Sequence, residues 1–286
     1  MVRLVIALAL VSSVASFSLS SHAVHGSSNA VHGVRSLRCD IRIEKDEKAV
    51  GHALCNYVKE AAKTAIEARG HFALAIPGGS ILKMLSTMKD DKSVDWSKTT
   101  MAYVNHRAVP NEDETATHLK AKRLFLDEWE KEGLKVLTLS GSTDAMVEAD
   151  KYANSLRVLP ENVLPRDKQT GFPMFDLMLI GVGLDGHIGS LYPDREEVMD
   201  KDKWVLPVVK SSSSSITLSL PLIKSSRKIV VASAGKSEKY PLGKAEAMVR
   251  ALEKNETPST FPASALRNCA TWIMDDGAAE LLSKKV

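Results

Sequence analysis

The sequence predicts an α/β fold, a mostly parallel sheet flanked by helices, and three observations predict it. Apolar runs of strand length alternate with amphipathic stretches at helical spacing along most of the chain. One run, Phe175 to Val182, is apolar almost throughout, as a central parallel strand covered on both faces must be. Glycine clusters follow two of the runs, at Gly78-Gly79 and between Gly181 and Gly189, where such folds turn from strand into loop.

The elements can be justified in order. Between Glu44 and Arg69 the residues Val50, Leu54, Tyr57, Val58, Ala61, Ala65 and Ile66 recur at helical spacing, and Gly70 ends the pattern. His71 to Pro77 has the length and apolarity of a strand, and Ile81 to Met88 after Gly78-Gly79-Ser80 reads as helix. The alternation continues with strand at Thr100 to Val104, helix at Ala116 to Trp129, strand at Lys135 to Leu139 and helix at Asp144 to Leu156. Beyond the central strand, further strands are expected at Trp204 to Val209, Ile216 to Leu220, Lys228 to Ala234 and Thr271 to Met274. Helices are expected at Leu242 to Glu253 and Gly277 to Ser283, and the tract Ser211 to Ser215 reads as a solvated loop.

Composition narrows the class. The 286 residues are 44% hydrophobic and 26% charged, the profile of a globular protein of one large domain or two intimate ones. A net charge of +3 is too small to argue for nucleic acid or a membrane surface as partner. Cys39, Cys55 and Cys269 are odd in number, far apart and form no CxxC pair, so they read as core residues and suggest no metal site or disulfide framework.

Residues 1–39 differ from the rest: they contain no Asp or Glu, and the first acid is Asp40. Arg3 precedes an apolar run, Leu4 to Val11, too short to span a bilayer, and small residues follow at Ser13, Ala15 and Ser16. The stretch from Phe17 to Arg38 is rich in Ser, His and Ala, with Arg35 and Arg38 its charges, like a transit peptide. Residues 1–39 are therefore expected to be a removable targeting segment and 40–286 the folded domain. A plastid reached through a secretory-type signal is the destination expected, with secretion or the ER lumen as the rival and a plain tail as the bland alternative. No membrane association is expected after processing.

Ligands of open α/β sheets gather at the carboxyl ends of strands, which singles out four places. Gly78-Gly79-Ser80 would let backbone N–H groups approach an anion, though a turn without ligand fits equally. Asn105-His106-Arg107 offers a forked donor for phosphate, or an ordinary surface arginine. Between Gly181 and Pro193, Asp185 and His187 stand two residues apart beside Gly186, so that the carboxylate could orient an imidazole acting as base; a structural histidine is the alternative. Gly235-Lys236 offers a lysine that is either a ligand or solvated.

Read together, these places resemble the family shared by 6-phosphogluconolactonases and glucosamine-6-phosphate deaminases, over nearly everything from Lys48 onward. Phe72 to Ser80 is similar to its first loop, and Phe175-Asp176-Leu177 through Ser190-Leu191-Tyr192-Pro193 resembles the lactonase signature FDLxLLGxGxDGHxxSLFP. Ile216 to Pro221, Ala234-Gly235-Lys236, Phe261 to Leu266 and Trp272 to Asp275 follow in the family's order. The resemblance implies a Rossmann-like fold of this family's type. It also implies hydrolysis of 6-phospho-D-glucono-1,5-lactone to 6-phosphogluconate, with His187 as base aided by Asp185. The phosphate would be held by Gly78, Gly79, Ser80, Arg107 and Lys236, with Asn105 and Gly186 lining the site. It implies no cofactor and no metal, a small-molecule sugar phosphate as partner and a monomer or dimer. A deaminase would need an acid where Asn105 stands and Phe-Asn-Glu-Pro where Ser190 to Pro193 stand. The lactonase pattern has Asp-Glu-Arg at 105–107, a serine at Pro77, a glycine at Ser233 and an arginine at Ser215. These departures keep open a homologue of altered specificity or one that binds sugar phosphate without catalysis.

Overall fold

In the computed structural model, residues 40–235 and 243–283 are described; the expected targeting segment, Cys39 and Lys236 lie outside them. Ten strands among the described residues divide between two sheets. In the larger, β1 (Asp40–Glu44), β2 (Phe72–Ile76), β3 (Thr99–Tyr103), β5 (Lys135–Val136), β6 (Leu177–Gly181), β9 (Ile229–Ser233) and β10 (Thr271–Asp275) run parallel in the order β1-β10-β9-β6-β2-β3-β5. In the smaller, β4 (Asn105–Arg107), β8 (Ser213–Leu218) and β7 (Val205–Lys210) are antiparallel in the order β4-β8-β7. The mostly parallel sheet expected from the alternation is therefore present. All residues of β2, β3 and β9 are buried, which is why their sequences carry no polar alternation.

Helix α1 (Glu47–Arg69) begins where the Asp46 carboxylate accepts the Ala49 N–H at 2.8 Å, and ends at Gly70 in the left-handed conformation. Its apolar stripe, including Val50, Leu54 and Val58, packs against β2, β9 and β10. Asp176, the carboxylate before β6, accepts both terminal guanidinium nitrogens of Arg69 and the Ala73 N–H, tying the starts of β2 and β6 to the end of α1. Short α2 (Ser80–Leu85) follows β2. After β4, the helix expected at Ala116 to Trp129 comes as α3 (Thr117–Ala121), a π-helical turn at Lys122–Leu126 and α4 (Asp127–Lys131) in unbroken succession. Helix α5 (Ala145–Arg157), capped by Asp144, packs on the smaller sheet, and α6 (Leu220–Ser225) and α7 (Ala245–Leu252) complete the helices.

Several local expectations need correction. Asp40–Glu44 is an edge strand that its charged alternation concealed. Gly277 to Ser283 forms turns, and the Asp275 carboxylate accepts the Ala278 N–H at 2.8 Å. The serine tract is only partly loop: Ser213 to Ser215 pair with Val208 to Lys210, so the hairpin turns on Ser211 and Ser212.

The order of the larger sheet locates the site. From β2 the chain adds β3 and β5 on one side, then crosses to add β6, β9 and β10 on the other. The reversal leaves a crevice between the carboxyl ends of β2 and β6, and both glycine clusters lie there.

Candidate active site

A cleft of about 400 Å³ opens at this reversal. Its lining draws Gly78, Gly79 and Ser80 from the turn after β2, Asn105 and Arg107 from β4, Thr117 and Lys120 from α3, and His187 from the loop after β6. Among the described residues Arg107, Lys120, Lys210 and Lys244 line it too, whereas no carboxylate does. The consequence is local: a chain of nearly balanced charge presents four cations to whatever enters.

The imidazole is set by its own loop. His187 Nδ1 lies 2.5 Å from Asp185 Oδ1, and the His187 N–H donates to the same oxygen at 3.2 Å. Donation by Nδ1 leaves Nε2 as the lone-pair nitrogen. Asp185 stands behind the ring and outside the lining. Partial burial alone would raise its carboxyl, but the hydrogen bonds and charge of His187, with nearby backbone N–H groups, outweigh burial and hold it below the usual carboxylate value. Both side chains need the emptiness at Gly183, where a Cβ would fall 2.0 Å from His187 Nδ1 and 2.7 Å from Asp185 Oδ1. Gly186 faces away from the lining, its Cβ position filled by the Phe261 ring and its carbonyl accepting the Ala263 N–H at 2.9 Å. On the outer face of the site the Tyr192 ring lies 4.7 Å from the His187 ring, tilted by 38°, and Lys210 Nζ sits 3.9 Å from the Tyr192 centroid.

On the opposite wall, Gly79 has φ of 78°, a conformation that glycine adopts without strain, and it turns the chain directly into Ser80. Strand β4 alternates its side chains: Asn105 and Arg107 face the cleft, His106 does not. Asn105 Nδ2 donates to Ser190 Oγ at 3.2 Å, joining the small sheet to the histidine loop. Arg107 is exposed and its guanidinium makes no hydrogen bond or ion pair among the described residues, so its donors remain available. His106 points instead into the interior. Its side chain is fully buried, and that burial lowers its pKa to about 4, beyond the opposing pull of the Arg107 carbonyl.

Sequence reasoning missed Lys244. It stands at the start of α7, half-buried in the cleft wall, with no partner among the described residues, and burial pushes its ammonium below the ordinary value against the pull of Glu47. The signal was a Gly243-Lys244 pair opening a helical pattern, passed over for the lysine nearest the end of β9. Lys120 and Lys210 were missed as well, since the first lies mid-pattern in a helix and the second at a hairpin.

Comparison with known proteins identifies the family and the fold. The family model described as glucosamine-6-phosphate isomerases/6-phosphogluconolactonase matches residues 45–274. A probable chloroplastic 6-phosphogluconolactonase 4 of Oryza sativa subsp. indica is 32% identical over 258 residues, covering 86% of this chain and 78% of the relative. A probable 6-phosphogluconolactonase of Schizosaccharomyces pombe is 30% identical, covering 84% and 94%. The crystal structure of 6-phosphogluconolactonase from Leishmania guyanensis superimposes with a TM-score of 0.72 over 86% of this chain and 100% of that one, at 20% identity, which speaks to the fold.

Proposed function

The chain belongs to the glucosamine-6-phosphate isomerase/6-phosphogluconolactonase family, and from that premise we propose that it hydrolyses 6-phospho-D-glucono-1,5-lactone to 6-phosphogluconate, the lactone-opening step of the oxidative pentose phosphate pathway. The observation that carries the reading is an aspartate-backed histidine facing a cleft that, among the described residues, is lined by four cations and no carboxylate. A phosphorylated neutral ring suits that charge. Asn105, which cannot serve as a carboxylate base, favours the lactonase over the deaminase reaction of the same family.

In the proposed reaction His187 Nε2 takes a proton from water as the water oxygen bonds to the lactone carbonyl carbon. The charge gained by the ring is stabilised by Asp185 through Nδ1–H. The tetrahedral intermediate then breaks its bond to the ring oxygen, which receives the proton back from Nε2 and leaves as the hydroxyl of the opened sugar. The acid so formed loses its proton to solvent. Gly78, Gly79, Ser80, Arg107 and Lys244 are proposed to hold the phosphate, Arg107 with a forked donor and Lys244 as a point charge. No step calls for a metal or nucleotide, because the lactone is already an activated ester.

Residues 1–39 are proposed to direct the protein to a plastid through a secretory-type entry. Their lack of acids and the chloroplastic names of relatives in Oryza sativa and Arabidopsis thaliana support this. A fluorescent fusion of that segment in a host with plastids should enter the organelle, and its export from the cell would select the secretory alternative.

The deciding measurement is lactone consumption coupled to 6-phosphogluconate dehydrogenase and corrected for spontaneous opening. A rate no faster than buffer would favour a sugar-phosphate binder or another substrate, and ammonia release from glucosamine 6-phosphate would favour the deaminase.

A further inference from the structure

Helix α3 starts badly by its own sequence. Its N-cap is Ala116, which has no side-chain acceptor, so the first N–H groups of the helix need a partner from elsewhere. One comes from β4: the His118 N–H donates to His106 Nε2 at 3.0 Å. That bond fixes the tautomer, because an accepting Nε2 leaves the proton on Nδ1, which donates to the Arg107 carbonyl at 2.7 Å. Both ring nitrogens are thus used in the neutral form, with the Tyr103 ring edge-on at 5.2 Å.

The two elements joined by this bond both reach the cleft. Strand β4 brings Arg107, and α3 brings Thr117 and Lys120. Thr117 in turn packs on the glycine turn, its Oγ1 3.2 Å from where a Cβ on Gly78 would lie. Building on the phosphate-binding reading above, we propose that His106 is a positioning residue: it caps α3 from the neighbouring strand and so holds Thr117 and Lys120 in register with Arg107 and the glycine turn.

The test compares His106→Leu, which fills the space but leaves the His118 N–H without an acceptor, with His106→Gln, which retains an acceptor oxygen. Each full-length variant is titrated calorimetrically with 6-phosphogluconate and, separately, with inorganic phosphate, and assayed on the lactone. His106→Leu should weaken both ligands and raise KM about tenfold, the scale of a lost helix cap, with kcat within about twofold, and His106→Gln should recover most of the loss. Glu148→Gln serves as stability control, since that buried carboxylate caps the Ser140 and Ser142 N–H groups; it should lower the melting temperature without moving KM. Unchanged affinity in His106→Leu, or an equal KM shift in Glu148→Gln, overturns the proposal. Should His106→Leu not fold, His106→Asn takes its place, and affinities equal to those of His106→Gln overturn it likewise. Phosphate binding reports on His106 even if the lactone proves not to be the substrate.

Discussion

Gly183 and His187 compete for one volume: a single methyl group at residue 183 would lie 2.0 Å from the imidazole Nδ1, and the glycine hydrogen is all that the ring tolerates. Gly183→Ala should therefore displace the ring while the buried sheet beneath persists. Displacements of about 1 Å lower turnover by roughly 100-fold, so kcat should fall on that scale with the melting temperature nearly unchanged. Wild-type turnover in this variant would mean that the ring's present placement is not the working one.

Removing the imidazole isolates its chemical part. His187→Ala should lower kcat by roughly 100- to 10,000-fold, the usual contribution of a general base, and leave the calorimetric affinity for 6-phosphogluconate close to wild type. Asp185→Asn should lower kcat less severely, since the ring keeps its place but loses the charge that stabilises its protonated form. Retained activity in His187→Ala removes this residue from the mechanism.

Lys244 carries a conflict between stability and binding. Its ammonium is half-buried without a partner among the described residues, and burial depresses its pKa. Lys244→Met should raise the melting temperature of the unliganded protein by a few degrees, on the order of 1 kcal/mol, and raise KM for the lactone. Arg107→Ala, at an exposed cation, should raise KM with little thermal effect. A lower melting temperature with unchanged KM would make Lys244 a structural residue.

Acid should destabilise the protein through His106. The unfolded side chain titrates near 6.5 and the folded one near 4 because burial disfavours its charge. A folded pKa below the unfolded one gives stability that is full above about pH 6.5 and lost as pH falls towards 4. The loss is on the order of 3 kcal/mol, and His106→Gln should abolish that part of the pH dependence in urea titrations. Parallel curves for the two proteins between pH 6.5 and 4 would show that His106 does not govern it.

A chain beginning at Leu37 should fold and keep its activity, since one compact unit runs from Leu37 and the first strand starts at Asp40. Starting at Lys45 should fail, because it removes β1 and bares the edge of β10 along the pairing from Asp40–Thr271 to Glu44–Asp275. Equal solubility of the two shortened chains would make β1 dispensable.

Strands β2, β6 and β9 and the glycine turns were legible because complete burial writes a continuous apolar run and tight turns demand glycine. The His187–Asp185 pair was legible because its two members sit on one loop, close in sequence. Lys244 and Lys120 were not, since a lysine in a helical pattern looks solvated until the fold brings the opposite wall to it. The role of His106 was hidden for a related reason: three residues are too few to show a strand's alternation, which sends residue 106 away from residues 105 and 107. Its partner, the backbone of His118, is a contact that side-chain pattern cannot announce.

The cleft's unbalanced charge bears on turnover as well as on capture. Opening the lactone turns a ring with one anionic group into a chain with two, so the product suits four cations better than the substrate did. Catalysis in such a site improves the grip on what must leave. Departure of 6-phosphogluconate is then expected to be retarded relative to that of the lactone, and salt, by screening the cations, should speed release while it slows arrival.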